Sequence, residues 1–201
     1  YDLVEVLMFD PHTLDLDATR AGLAGTGLGL RLGMALGPAT EVRATGDLFG
    51  APARVLSAQA AGLDLLVLDA PHFFDRPGSI YLGPDGRDWP DSPERYAALC
   101  WIAMEIARDG AAGWKPDLVH AHDWQAGLVP LYLRFRGIPV PSILTVHNIA
   151  FQGHFSGDIF TWLELPSAAW AIDGLEYFQG VGFLKAGLAN ATAITTVSPT
   201  Y

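Results

Sequence analysis

The chain has 201 residues, half of them hydrophobic and 17% charged, which is ample for a core and excludes disorder over most of its length. A formal charge of −10, from 22 acidic against 12 basic residues with no Lys/Arg cluster, argues against nucleic acid and anionic membranes as partners. The single cysteine, Cys100, excludes an internal disulfide and a cysteine metal cluster; with no secretory leader in view and no apolar run of the ~18–20 residues that span a bilayer, a cytoplasmic location is expected.

Residues 3–9 read as a strand. Residues 11–40, rich in Ala, Leu and Gly without a period, are assigned little structure, since each interior glycine costs a helix ~1 kcal/mol relative to alanine. Ala53–Gln59 and Leu63–Asp69 are predicted as neighbouring strands, the second so continuously apolar that cover on both faces is expected. A Pro/Gly/Asp-rich loop over 70–91 leads to Ser92-Pro93-Glu94, a helix start with Pro at the first position and an acid beside the positive end. That helix runs to about Arg108, and Gly110 stops it. Strands at Asp117–His122, Ser142–Val146 and Ala193–Ser198 alternate with helices at Trp124–Phe135 and near Phe183–Asn190, with a long loop holding an interrupted helix between 147 and 182. Such alternation predicts an α/β fold, a Rossmann-like parallel sheet with helices on both faces.

In that architecture ligands sit beyond the carboxyl ends of the strands. Three strand ends qualify: His122-Asp123-Trp124, Val146-His147-Asn148 and Val197-Ser198-Pro199. His120 and His122 fall on one face of their strand, which allows a metal pair, but no third ligand stands nearby; the plain alternative is that one is a hydrogen-bonded core histidine and that Asp123 caps the helix start. Asp123 is equally an acceptor for sugar hydroxyls, with Trp124 either an apolar platform for a pyranose ring or a core aromatic. His147 and Asn148 donate and accept without a full charge, which suits a neutral ligand; the plain alternative is a satisfied histidine and a turn asparagine. Ser198 lacks the Gly-x-Ser-x-Gly elbow of hydrolases and reads as a turn. Tyr81, in the 70–91 loop, extends from the end of a strand toward the same sheet edge.

Six segments in order carry a family resemblance: Asp64–Pro71, Asp75–Tyr81, Pro116–Gly127 (Pro-Asp-Leu-Val-His-Ala-His-Asp-Trp-Gln-Ala-Gly), Leu144–Gly153 (Leu-Thr-Val-His-Asn-Ile-Ala-Phe-Gln-Gly), Phe183–Leu188 and Thr195–Tyr201. Over about residues 41–201 the chain resembles the N-terminal domain of bacterial glycogen synthases and plant starch synthases. The resemblance implies half of a two-Rossmann-domain (GT-B type) glycosyltransferase, a retaining enzyme that transfers glucose from ADP-glucose to the 4-hydroxyl at the non-reducing end of an α-1,4-glucan, without a metal or other cofactor. Carried over by position, Asp123 and His147 are the catalytic candidates that contact the transferred glucose or its acceptor, Asn148 shares their motif, and Trp124 and Tyr81 line the cleft. Lys185 is as readily structural as functional.

Two departures bear on activity. The family's Lys-x-Gly-Gly-Leu loop is not found in residues 1–40, which are treated as atypical, and the second, nucleotide-holding domain is not present. The 201 residues are therefore expected to be inactive alone, because an oxocarbenium-like centre needs stabilising charge from both walls of a cleft. A non-catalytic glucan-binding module, or a degenerate remnant, is the alternative.

Overall fold

The computed structural model describes residues 3–6, 38–60, 63–76 and 80–199. These fall into two compact units, one built from residues 3–6 and 93–199, the other from residues 38–92. The expectation for residues 11–40 lies almost wholly outside the described residues, as do 7–9 of the first predicted strand.

The smaller unit is an antiparallel sheet. Strands β2 (Thr40–Asp47), β3 (Pro52–Ala60) and β4 (Leu63–Asp69) pair in the order β2-β3-β4, after β1 (Leu3–Val6), which belongs to the other unit. The β2–β3 link is tight: Asp47 accepts from the Gly50 amide at 2.6 Å, and Gly50 takes φ +114°, open to glycine at little cost. Ala53–Gln59 and Leu63–Asp69 are adjacent, as expected, in continuous register from Arg54↔Asp69 to Ala60↔Leu63. The cover expected over Leu63–Asp69 is not observed. None of its residues is buried, and Leu63 is 58% exposed. A continuous apolar run marks a strand but does not tell a two-faced parallel strand from the edge of an antiparallel one.

After β4 comes a single helical turn, α1 (Pro71–Phe74), and then the loop that carries Tyr81. Arg76 organises that loop. Its guanidinium donates to both carboxylate oxygens of Asp91 and to the Phe73 carbonyl, and lies 4.5 Å from the centre of the Trp89 ring. A planar fork that pairs bidentately and stacks at once is a task lysine cannot share.

The larger unit carries the parallel sheet. Its order is β1-β5-β6-β10, where β5 is Leu118–His122, β6 is Ser142–Val146 and β10 is Ala193–Thr196, and every neighbour pair is parallel. The fold is thus α/β with a parallel sheet, as the alternation of elements predicts. Helix α2 (Ser92–Asp109) puts Tyr96, Ala97, Cys100, Met104 and Ala107 wholly out of solvent. Burial raises the Cys100 thiol to about 12, so it stays protonated and donates to the Gln125 carbonyl at 3.2 Å. Gly110 ends α2 at φ +79°.

The stretch predicted as one helix over Trp124–Phe135 is divided. Trp124–Ala126 is a 3₁₀ turn, and α3 proper is Leu128–Phe135. The break sits at Gly127 because the chain there lies against the start of α4 (Phe183–Asn190): a Cβ on Gly127 would stand 2.2 Å from the Phe183 carbonyl oxygen. Gly187 on α4 returns the contact, its Cβ position lying 3.0 Å from the Gly127 oxygen. Gly127→Ala is expected to destabilise the fold by about 3 kcal/mol, the upper end of overpacking costs, because backbone cannot yield as a side chain does. Urea unfolding measures it, and a shift below about 0.5 kcal/mol contradicts so close an approach.

Between β6 and α4 the expected interrupted helix is present as 3₁₀ turns at Gly157–Trp162 and Ser167–Ala169. They are joined by a small antiparallel sheet that periodicity does not predict, β7 (His154–Ser156), β9 (Gly180–Gly182) and β8 (Glu176–Tyr177), in that order. Side chains on the flanking helices hold this irregular path. Tyr132 donates to the Leu163 carbonyl, Arg134 to Asp173, Arg136 to the Glu164 carbonyl, and Lys185 to the carbonyls of Ala171 and Gly174. Buried backbone acceptors need such donors where no ladder supplies them.

Candidate functional site

Parallel pairing decides which strand ends meet. His122 of β5 is in register with Thr145 of β6, and Thr196 of β10 with Val146. The ends of β5, β6 and β10 therefore stand side by side at the carboxyl edge of the sheet. The Asp123 amide donates to the Thr145 carbonyl at 2.9 Å, and the Ser198 amide to the Thr196 hydroxyl at 3.3 Å.

Asp123 does not cap the helix that follows it: its carboxylate makes no hydrogen bond to that turn. Oδ1 instead reaches across to the next strand end and accepts from the His147 amide at 2.7 Å and the Asn148 amide at 3.3 Å. To aim it there the backbone takes φ +55° and ψ −170°, a region that only glycine enters without strain, at a cost on the order of 1–3 kcal/mol. Strain retained at such a position matches a carboxylate that must face one way. Oδ1 is committed to the neighbouring loop, and Oδ2 is the oxygen left for a ligand.

His147 and Asn148 follow β6 and are exposed. The His147 ring meets His122, Nε2 to Nδ1, at 2.9 Å. Asn148 Oδ1 accepts from the Ala150 amide at 3.0 Å, so its oxygen shapes the turn while its NH₂ points to no described protein partner. Trp124 is half-buried. Its ring lies 4.5 Å from that of Tyr96, edge to face, and a Cβ on Gly153 would fall 2.4 Å from its six-membered ring. Most of that indole is thus core packing, with Phe155 beyond it at 5.9 Å. Tyr81, 45% exposed, belongs to the smaller unit, on the loop that Arg76 fixes.

Lys185 is placed plainly. Half-buried, it spends its ammonium on two backbone carbonyls, and desolvation holds its pKa below the ordinary lysine value. It is a structural donor. Two further residues at this rim escaped the reading by residue type. Phe151, 62% exposed, stands in the loop after His147; its place inside the Leu144–Gly153 motif was the available signal. His122 was weighed as a metal ligand or a hydrogen-bonded core histidine, and its bond to His147 depends on register between strands, which spacing along the chain does not show. Among the described residues no group of three or more His, Cys, Asp or Glu side chains is placed to hold a metal ion.

The site is thus a rim of imidazole, carboxamide and one oriented carboxylate, all able to hydrogen-bond hydroxyl groups. The chain matches the family model of the starch synthase catalytic domain over residues 30–201. It is 53% identical over 195 residues to a glycogen synthase from Roseobacter denitrificans, with 92% of this chain and 41% of that protein covered. To a glycogen synthase from Rhizobium leguminosarum bv. trifolii it is 57% identical over 156 residues, with 77% and 32% covered. Among solved structures, the catalytic domain of starch synthase IV from Arabidopsis thaliana, bound to ADP and acarbose, superposes with a TM-score of 0.62 at 22% identity, over 81% of this chain and 35% of that one. The chain spans about two fifths or less of the length of these curated relatives. The first 40 residues are less foreign than their composition suggests, since the family match begins at residue 30 and 92% of the chain cannot be covered without most of them.

Proposed function

Since the chain belongs to the starch synthase catalytic domain family, we propose that it supplies the acceptor- and glucose-facing wall of a retaining glycosyltransferase. The transfer is of glucose from ADP-glucose to the 4-hydroxyl at the non-reducing end of an α-1,4-glucan, in the cytoplasm. The observation that carries this reading is the joined rim of Asp123, His147 and Asn148. Glucose and glucan are neutral and dense in hydroxyls. An imidazole nitrogen, a carboxamide NH₂ and one carboxylate oxygen give donors and acceptors at fixed places without gathering the cations that a phosphate would ask for. The diphosphate and the developing positive charge at the anomeric carbon then fall to a second wall.

Two measurements test the reading. The intact protein should incorporate labelled glucose from ADP-glucose into glycogen. By calorimetry the 201-residue chain should show weak or undetectable ADP-glucose binding. A micromolar affinity overturns the division of labour, and glucan binding by the intact protein without transfer replaces the enzyme with a glucan-binding module.

A further inference from the structure

Side chains tie the interior of the parallel sheet to its rim. In β10 and β6 the hydroxyls of Thr195 and Thr145 are 2.6 Å apart, and the Thr145 hydroxyl is 2.6 Å from Nε2 of His120 in β5. Three adjacent strands thereby fix the His120 ring. His122, two residues on and on the same face, lies over it with ring centres 4.2 Å apart and planes 36° apart. His122 Nδ1 then meets His147 Nε2 at 2.9 Å. Each link orients the next, from partly buried threonine to exposed imidazole.

From this we propose that His122 is a positioning residue for His147, fixing the direction of that ring and coupling its tautomer to that of His122. A histidine on an exposed loop otherwise exchanges rotamers and shares its proton between two nitrogens. Here Nε2 is engaged inward, so Nδ1 is the nitrogen that a ligand meets. A bond between two imidazole nitrogens needs one N–H and one lone pair. The two tautomers are therefore coupled: when His122 donates from Nδ1 the His147 proton sits on Nδ1, when His122 accepts it sits on Nε2, and a pair with both rings cationic has two N–H groups facing and no acceptor. Asp123 completes the arrangement from the other side by holding the His147 amide. Ring and backbone of one residue are thus secured by consecutive residues, His122 and Asp123.

The kinetic arm of the test rests on the proposed transferase reading; the spectroscopic arm does not. In the intact protein labelled with ¹⁵N-histidine, long-range ¹H–¹⁵N correlation should show His147 Nε2 with the shift of a hydrogen-bonded nitrogen. His122→Phe keeps a ring over His120 but removes the nitrogen, and should shift His147 to the averaged pattern of a free imidazole. His122→Asn, whose amide overlays Nδ1, should restore the hydrogen-bonded Nε2 pattern, whereas His122→Gln, whose amide overlays Nε2, should not. If the phenylalanine variant does not fold, the Asn and Gln variants carry the comparison alone. For glucosyl transfer, kcat should fall by roughly 10- to 100-fold in His122→Phe, as a misplaced group costs, with the KM for ADP-glucose within about twofold and most of kcat recovered in His122→Asn. An unchanged His147 spectrum in His122→Phe, or equal loss of kcat in the Asn and Phe variants, overturns the positioning role. A shifted His147 spectrum in a protein that transfers no glucose even unaltered overturns the transferase reading alone.

Discussion

Alanine at His147 in the intact protein is expected to lower glucosyl transfer by about 100-fold or more, the scale on which one aimed hydrogen-bonding group acts at a reacting centre. Folding should hardly notice. The ring is exposed and its protein partner is His122, while the amide that Asp123 holds belongs to the backbone and survives the substitution. Unfolding should stay cooperative and its free energy should move by no more than about 0.5 kcal/mol. Transfer assays beside urea denaturation separate the two effects. Activity near that of the unaltered protein removes His147 from the chemistry.

Asp123 is expected to show the other large effect, and its variants divide into backbone and side-chain parts. Asp123→Ala removes the acceptor for two amides while leaving a Cβ at φ +55°. Asp123→Gly removes the same acceptor but frees the strained backbone, and should be the more stable of the two by about 1 kcal/mol. Both should lose transfer by at least 100-fold, since the loop carrying His147 is no longer tied. Asp123→Asn keeps an oxygen for the amides and gives up the charge, so its activity reads out what the free Oδ2 contributes. Equal stability of the Ala and Gly variants shows that the backbone at 123 is not under strain. Full activity in Asp123→Asn shows that the carboxylate charge is not used.

These expectations rest on contacts of differing legibility. Ser142–Val146 and Phe183–Asn190 have the bounds expected of them, because an apolar β-branched run and a glycine-flanked helix are both set locally. That the ends of Leu118–His122, Ser142–Val146 and Ala193–Thr196 meet at one sheet edge follows from alternation alone. What was not legible depends on the third dimension. Asp123 looks like a helix cap in sequence because its true partners are 24 and 25 residues away. The division of Trp124–Phe135 at Gly127 answers to a carbonyl on a distant helix. Leu63–Asp69 looks deeply covered because hydrophobicity reports that a strand exists, not what lies on it. The two- and three-residue strands near His154 and Gly180 are too short for any period to register.

The path between Gly157 and Leu175 shows where shape information resides. Its carbonyls at 163, 164, 171, 173 and 174 are held by tyrosine, arginine, asparagine and lysine side chains rooted in the helices on either side. Within it, Gly174 has no room for a Cβ, the Ala169 oxygen lying 1.9 Å away. That outline is therefore set by Tyr132, Arg134, Arg136, Lys185 and Asn190, which lie outside the stretch, more than by the side chains along it.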